Sequence, residues 1–143
     1  MSSIRVLASV IRDRDRVLIC RRPIGKRHGG LWEFPGGKVE AGESNLEAAA
    51  RELREELDVT VTAVEAPLFI RADEGSAFVI EFLPTAIEGT PEAIEHSELA
   101  WVHPGDLEKF ELAPSDRAFA EQWIAELSLA DPDSPGRGAS SLK

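Results

Sequence analysis

Apolar and polar positions change rhythm several times along this 143-residue chain, and the rhythm predicts the elements. Residues 4–11 (Ile-Arg-Val-Leu-Ala-Ser-Val-Ile) read as a strand, 12–15 as a polar turn, and 16–21 (Arg-Val-Leu-Ile-Cys-Arg) as its hairpin partner. Residues 22–36, rich in Gly, Pro and basic groups, read as a long functional loop. Ser44 is placed to cap a helix, with Glu47 completing a capping box three residues on. Leu46, Ala49, Ala50, Leu53 and Leu57 then recur at helical spacing, and the helix is expected to end near Asp58. Alternation returns in 59–64 and 76–87, and 98–102 reads as a short strand. Residues 104–110 suggest a helical turn. Residues 114–127 suggest a second amphipathic helix with Phe119, Trp123, Ile124 and Leu127 inward. Strands interleaved with two helices predict one α/β domain over residues 1–129, a mixed sheet with helices on its faces. The segment 130–143 reads as a disordered tail.

Composition narrows the picture. No apolar run reaches the roughly 18 residues of a membrane helix, so no membrane association is expected. Neither does the start of the chain carry a signal-peptide pattern. Cys20 is the only cysteine, which excludes an intramolecular disulfide and points to a cytoplasmic location. The formal net charge of −10 disfavours binding to nucleic-acid backbones.

Much of the acidity sits in one place. Glu52 and Glu55 are three residues apart and Glu52 and Glu56 four, spacings that bring side chains to one helix face. Like charges there repel, and a hard divalent cation with oxygen ligands would relieve the repulsion. A glycine-rich loop leads into that helix, and Arg51 lies beside the acids.

From Gly37 to Val59 the chain reads Gly, five residues, Glu43, seven residues, then Arg51-Glu52-Leu53-Arg54-Glu55-Glu56-Leu57-Asp58-Val59. This stretch resembles the Nudix signature at every specified position except one, where Asp58 replaces a glycine. That glycine follows the helix end, where a left-handed conformation is usual, and Asp tolerates it better than most residues. Residues 30–40 (Gly-Leu-Trp-Glu-Phe-Pro-Gly-Gly-Lys-Val-Glu) resemble the MutT-type branch. Residues 96–101 and 112–116 resemble that branch's CTP pyrophosphohydrolases. The resemblance covers roughly residues 4–127 and implies a Nudix-like α/β/α sandwich.

It also implies roles. Glu52, Glu55 and Glu56 become metal ligands, joined by the Gly36 carbonyl and by Glu98. The alternative is that one of the helix acids, most often Glu52 in the family, activates the attacking water instead; which acid is the base stays open. Arg51 and Glu43 brace the loop, with Arg51 orienting a catalytic glutamate. Arg22 and Lys38 are the candidates to meet phosphates; Arg21, Lys26 and Arg27 are weaker ones. Phe34 and Asp116 match positions that hold the nucleobase, with core packing and helix capping as their plainer alternatives. Asp116 would accept from an exocyclic amine such as cytosine N4. His96 could reach the site, with a lone surface histidine the commoner outcome. The implied cofactor is Mg²⁺, with Mn²⁺ as a substitute. The implied activity is hydrolysis of a nucleoside triphosphate to the monophosphate and pyrophosphate, favouring CTP, dCTP or a modified pyrimidine. The alternatives are an 8-oxo-dGTP diphosphatase, a hydrolase of nucleoside diphosphate sugars (ranked low), and a non-catalytic Nudix-like module that binds a nucleotide, DNA or a partner. A small nucleotide is the expected partner, and the chain is expected as a monomer or homodimer.

Overall fold

Residues 7–11 are buried without a break, a pattern that suits a strand covered on both faces rather than an amphipathic one. The computed structural model, which describes residues 3–72 and 75–130, places this strand (β1, Ile4–Val10) at the centre of a mixed sheet. It runs parallel to a long strand (β8, Phe78–Glu88) and antiparallel to a short one (β5, Gly36–Lys38). The far edge of β8 carries two antiparallel partners end to end, β6 (Thr60–Val64) and β7 (Phe69–Arg71).

The expected hairpin between 4–11 and 16–21 does not form as read. The strand Arg16–Arg21 (β3) pairs instead with Arg12–Asp13 (β2), because the chain leaves the first sheet at Ile11 and enters a second. In that second sheet β3 also pairs antiparallel with β4 (Trp32–Glu33) and with β9 (Glu98–Val102). The loop expected over 22–36 therefore contains β4 and the start of β5. Such two- and three-residue strands carry no periodicity of their own.

Strand β3 shows how the layers stack. Val17 and Ile19 join one hydrophobic core and Leu18 and Cys20 another, all four fully buried. Alternate side chains of one strand thus fill two cores, each roofed by a helix. Helix α1 (Asn45–Leu57) covers one side with Ala49, Leu53 and Leu57, and helix α2 (Pro114–Ala130) covers the other with Phe119 and Ala120. Burying one Leu stabilises by roughly 1.5–3 kcal/mol, so this stripe alone anchors α1. The architecture is the expected α/β/α sandwich with a mixed sheet.

Both helix ends follow their sequence. Ser44 accepts from Glu47 N–H while Glu47 accepts from Ser44 N–H, a complete capping box. Asp58 adopts the left-handed conformation (φ 56°, ψ 46°) that the signature's glycine would take, and its N–H returns to the Arg54 carbonyl. Two apolar positions differ from expectation. Leu46 lies in the first turn and stays 42% exposed, its place taken by Ala48. Leu127 is 40% exposed because α2 leaves the core after Ile124 and runs on through Ala130. The expected tail, Ala130 apart, lies outside the described residues.

Candidate functional site

The loop-to-helix passage builds the acid site. Gly36 and Gly37 lie in β5, directly beneath α1. A Cβ on Gly37 would collide with the Glu52 carboxylate, and one on Gly36 (φ 149°) with the Leu7 carbonyl. The backbone at Gly37 therefore approaches Glu52 as only glycine allows. Gly36 N–H donates to Glu56 Oε1 at 3.3 Å. Glu52 and Glu56 are hydrogen-bonded to each other, and Glu56 is buried. Burial first, then the bond to Glu52 and its charge, lift the Glu56 carboxyl well above the ordinary range.

Arg51 organises the other side. Its Nε and Nη2 donate to the Glu43 carboxylate at 2.7 and 3.0 Å, Nη2 also to the Lys38 carbonyl at 2.9 Å, and Nη1 to Glu52 Oε2 at 2.9 Å. These contacts tie the loop, the helix and one acid to a single planar group. The Arg51 hydrogen bonds, with help from the Glu40 N–H, hold the Glu43 carboxyl down at about 2.

The three helix acids do not converge equally. Glu52 and Glu56 pair, whereas Glu55 is 54% exposed and stands 3.8 Å from Arg51 Nη1. Among the described residues no three acids or histidines converge into a closed metal cage. The donor set still fits a hard cation: two carboxyls on one helix face, Glu56 buried and Glu52 beside a backbone turn moulded to it. Mg²⁺ commonly takes one or two carboxylates and completes its shell with substrate phosphates and water.

A cavity of about 860 Å³ runs from this site across the sheet. Cations line it at Arg22, Lys26, Arg27 and Lys38, and acids at Glu33, Glu56, Glu95 and Asp116. Arg22 is bonded to the Arg27 carbonyl and paired with Glu33 at 3.2 Å; Lys38 is exposed, over the Phe78 ring. Asp116, in the first turn of α2, accepts Phe34 N–H at Oδ2 (2.9 Å) and is 9% exposed. Burial pushes its carboxyl up to about 7, against the pull of the Phe34 N–H. The Phe34 ring itself packs in the core, edge-on to Phe82 and Phe119, so its plainer reading describes the ring while the residue borders the cavity.

Of the predicted metal-site acids only Glu56 borders this cavity; Glu52, Glu55 and Glu98 are not in its lining. Residues in register share a sheet face, and Glu98 lies opposite Arg21, to which it is paired at 2.9 Å. Leu99 and Trp101 face α1, so Glu98 and Ala100 face away from it. The acid that the β8–β9 connection brings to the cavity is Glu95. Two further residues escaped the sequence reading. Glu33, in register with Cys20, faces the α1 side; His96, expected on the surface, has a side chain only 6% exposed and meets Glu33 Oε2 at 2.9 Å. The signal for His96 was its place next to an acid just before a strand, too weak to outweigh the surface reading.

An acid site opening on a cavity lined by both cations and acids, on an α/β/α sandwich, fits a hydrolase acting on acid anhydrides. The NUDIX domain model matches residues 1–124, and the chain belongs to that family. The CTP pyrophosphohydrolase of Escherichia coli K12 is 37% identical over 128 residues, covering 87% of this chain and 94% of that one. A putative 8-oxo-dGTP diphosphatase 2 of Mycobacterium tuberculosis H37Rv is 34% identical, covering 86% of each chain. Among solved structures, one from work on MutT of Aliivibrio salmonicida and Vibrio cholerae superposes with TM-score 0.75 at 34% identity, covering 87% of this chain and 99% of that one. Members of this family generally depend on a divalent metal and act on small nucleotides. No helix among the described residues is long and apolar enough to cross a membrane.

Proposed function

We propose that this hydrolase cleaves nucleoside triphosphates to the monophosphate and pyrophosphate, favouring cytosine nucleotides. One observation carries the reading: a single cavity joins Glu56, the buried acid of the helix, to the buried acceptor Asp116. A nucleotide is an anionic chain with a base at one end, and the cavity offers cations along the way and an acceptor at its far end. Asp116 suits an exocyclic amine, as on cytosine N4. The E. coli relative's name, CTP pyrophosphohydrolase, agrees with that choice.

In this reading Glu52, Glu55, Glu56 and the Gly36 carbonyl hold Mg²⁺, or Mn²⁺ in its place, and Glu95 takes the part that the resemblance gave to Glu98. A divalent cation bound there supplies charge neutralisation at the phosphate oxygens and a more acidic water. Arg22 and Lys38 hold the phosphates, so that little negative charge is left unopposed as the anhydride bond breaks. Arg51 fixes the Glu52 carboxylate in one orientation, ready to take a proton from the attacking water. Asp116 orients the base and thereby sets the phosphate chain in register with the acids.

A second reading, an 8-oxo-dGTP diphosphatase, rests on the M. tuberculosis relative and on the donors of the guanine edge, which Asp116 would also accept. Initial rates of pyrophosphate release with Mg²⁺ from CTP, dCTP, 5-methyl-dCTP, 8-oxo-dGTP, dGTP, ATP and ADP-ribose separate the two. Faster turnover of the cytosine compounds is expected, with loss on adding EDTA. Preference for 8-oxo-dGTP would move the role to nucleotide-pool sanitation. Metal-independent nucleotide binding without turnover would revive the non-catalytic module.

A further inference from the structure

Glu33 stands between the two halves of the cavity: its charge helps to raise both the Glu56 and the Asp116 carboxyls. Its carboxylate is held by two partners, Arg22 Nη1 (3.2 and 3.3 Å) and His96 Nε2 (2.9 Å). An ionised carboxylate only accepts, so Nε2 carries the proton of this bond. Nδ1 is buried and finds no hydrogen-bond partner among the described residues. A histidine that gives up hydrogen bonding at one nitrogen to aim the other at Glu33 is placed for that contact.

The backbone around it is fastened on both sides. Ile94 N–H donates to the Glu56 carbonyl (3.2 Å) and Glu92 N–H to the Leu57 carbonyl (2.9 Å), closing the end of α1. Ser97 N–H donates to the Arg21 carbonyl (2.9 Å), at the end of β3. The residue that carries an acid of the candidate metal site thus also anchors, through its main chain, the loop bearing His96. Rigid support of this kind fixes a polar group before a ligand arrives.

We propose that His96 is a positioning residue for substrate binding: through Nε2 it holds the Glu33 carboxylate against Arg22, so the nucleotide meets a preset acceptor and a preset cation. This rests on the nucleotide reading above. Loss of the bond frees Glu33 to rotate and leaves Arg22 with a mobile counter-charge, so binding weakens before chemistry does.

The test uses the full chain with Mg²⁺ and dCTP, measuring KM and kcat for His96→Ala, His96→Asn, His96→Gln, Glu33→Ala and the His96→Ala/Glu33→Ala double variant. Gln places its amide near the Nε2 position and Asn near Nδ1. Losing a hydrogen bond to a charged group is expected to raise KM roughly tenfold or more in His96→Ala and His96→Asn, with kcat changed by less than about threefold. His96→Gln is expected to restore KM to within about threefold of the original chain. In the Glu33→Ala background, where His96 has no acceptor left, His96→Ala is expected to add no further loss, because the two residues act as one unit. Additive losses, or a Gln variant as impaired as the Ala variant, would overturn the proposal. So would a fall in kcat at constant KM. Thermal melts identify any variant that fails to fold; the Asn and Gln pair, alike in size and polarity, then decides. If the original chain turns over another nucleotide of the panel and not dCTP, the base assignment fails, and the same cycle on that nucleotide still judges His96.

Discussion

Asp116→Asn is expected to stabilise the protein at neutral pH while impairing nucleotide turnover. The folded carboxyl sits at about 7 against an ordinary 3.8, chiefly because it is buried. Between those values the folded chain holds a proton that the unfolded chain releases. Stability contributed at this position therefore falls as pH rises from about 4 to about 7, and is level above that. Each pH unit within the window amounts to about 1.36 kcal/mol. From pH 5 to pH 8 the original chain should lose roughly 3 kcal/mol through Asp116, since about two units of the window remain above pH 5. Asparagine keeps an oxygen for the Phe34 N–H and does not titrate. The stability difference between variant and original should thus grow by roughly 3 kcal/mol across that range, or about 10 °C in Tm for a domain of this size. Urea unfolding at pH 5, 6, 7 and 8, followed by tryptophan fluorescence, measures it. Taking the difference cancels the titration of other groups that the substitution leaves alone. A difference that stays constant with pH would refute the reasoning, and turnover of dCTP equal to the original's would remove Asp116 from the base site.

The two neighbouring glycines should separate stability from activity. Gly37→Ala pushes on the carboxylate end of Glu52 rather than on backbone, so a Tm within a few degrees and a kcat at least about 100-fold lower are expected by thermal melt and pyrophosphate assay. Gly36→Ala strikes backbone at a positive φ and should cost roughly 2 kcal/mol or more in urea unfolding. Arg51→Lys keeps the charge but loses the fork shared among Glu43, Lys38 and Glu52; kcat is expected to fall roughly tenfold or more. A Glu55→Gln/Glu56→Gln double variant that kept full turnover in the pyrophosphate assay would end the acid-site reading. Leu53→Ala, at a fully buried position on the inner face of α1, should cost roughly 2–5 kcal/mol in urea unfolding.

What could be read from the chain, and what could not, divides by sequence distance. Glu52 and Glu56 meet through helix geometry alone, and Ser44 with Glu47, or Asp58 at the helix end, need nothing beyond the next turn of chain. Arg51 reaches Glu43 across eight residues, still within one loop and helix. Such contacts repeat wherever the local pattern repeats, so a motif captures them. Glu33 and His96 meet across 63 residues, and Phe34 and Asp116 across 82. No spacing rule connects them: the first meeting is made by strands that both pair with β3, the second by the bridge between Trp32 and Leu112 just before α2. The short strands β4, β5 and β7 were illegible for the same reason: their extended shape comes from a neighbour.

Strand β3 is therefore the element on which the substrate half of the cavity depends. On one edge its Cys20 stands opposite Glu33, and on the other its Arg21 stands opposite Glu98. Side chains alternate across a sheet, so these two registers put Glu33 on the α1 side and Glu98 on the opposite side. A slip of one residue on the β4 edge would turn Glu33 away from Glu56 and His96; a slip on the β9 edge would bring Glu98 to the α1 side. Four consecutive fully buried residues, Val17 to Cys20, oppose any such slip, because moving them by one would exchange the side chains of two differently shaped cores. The difference between the acid that reaches the cavity and the acid that does not is thus fixed by the hydrophobic packing of the strand between them.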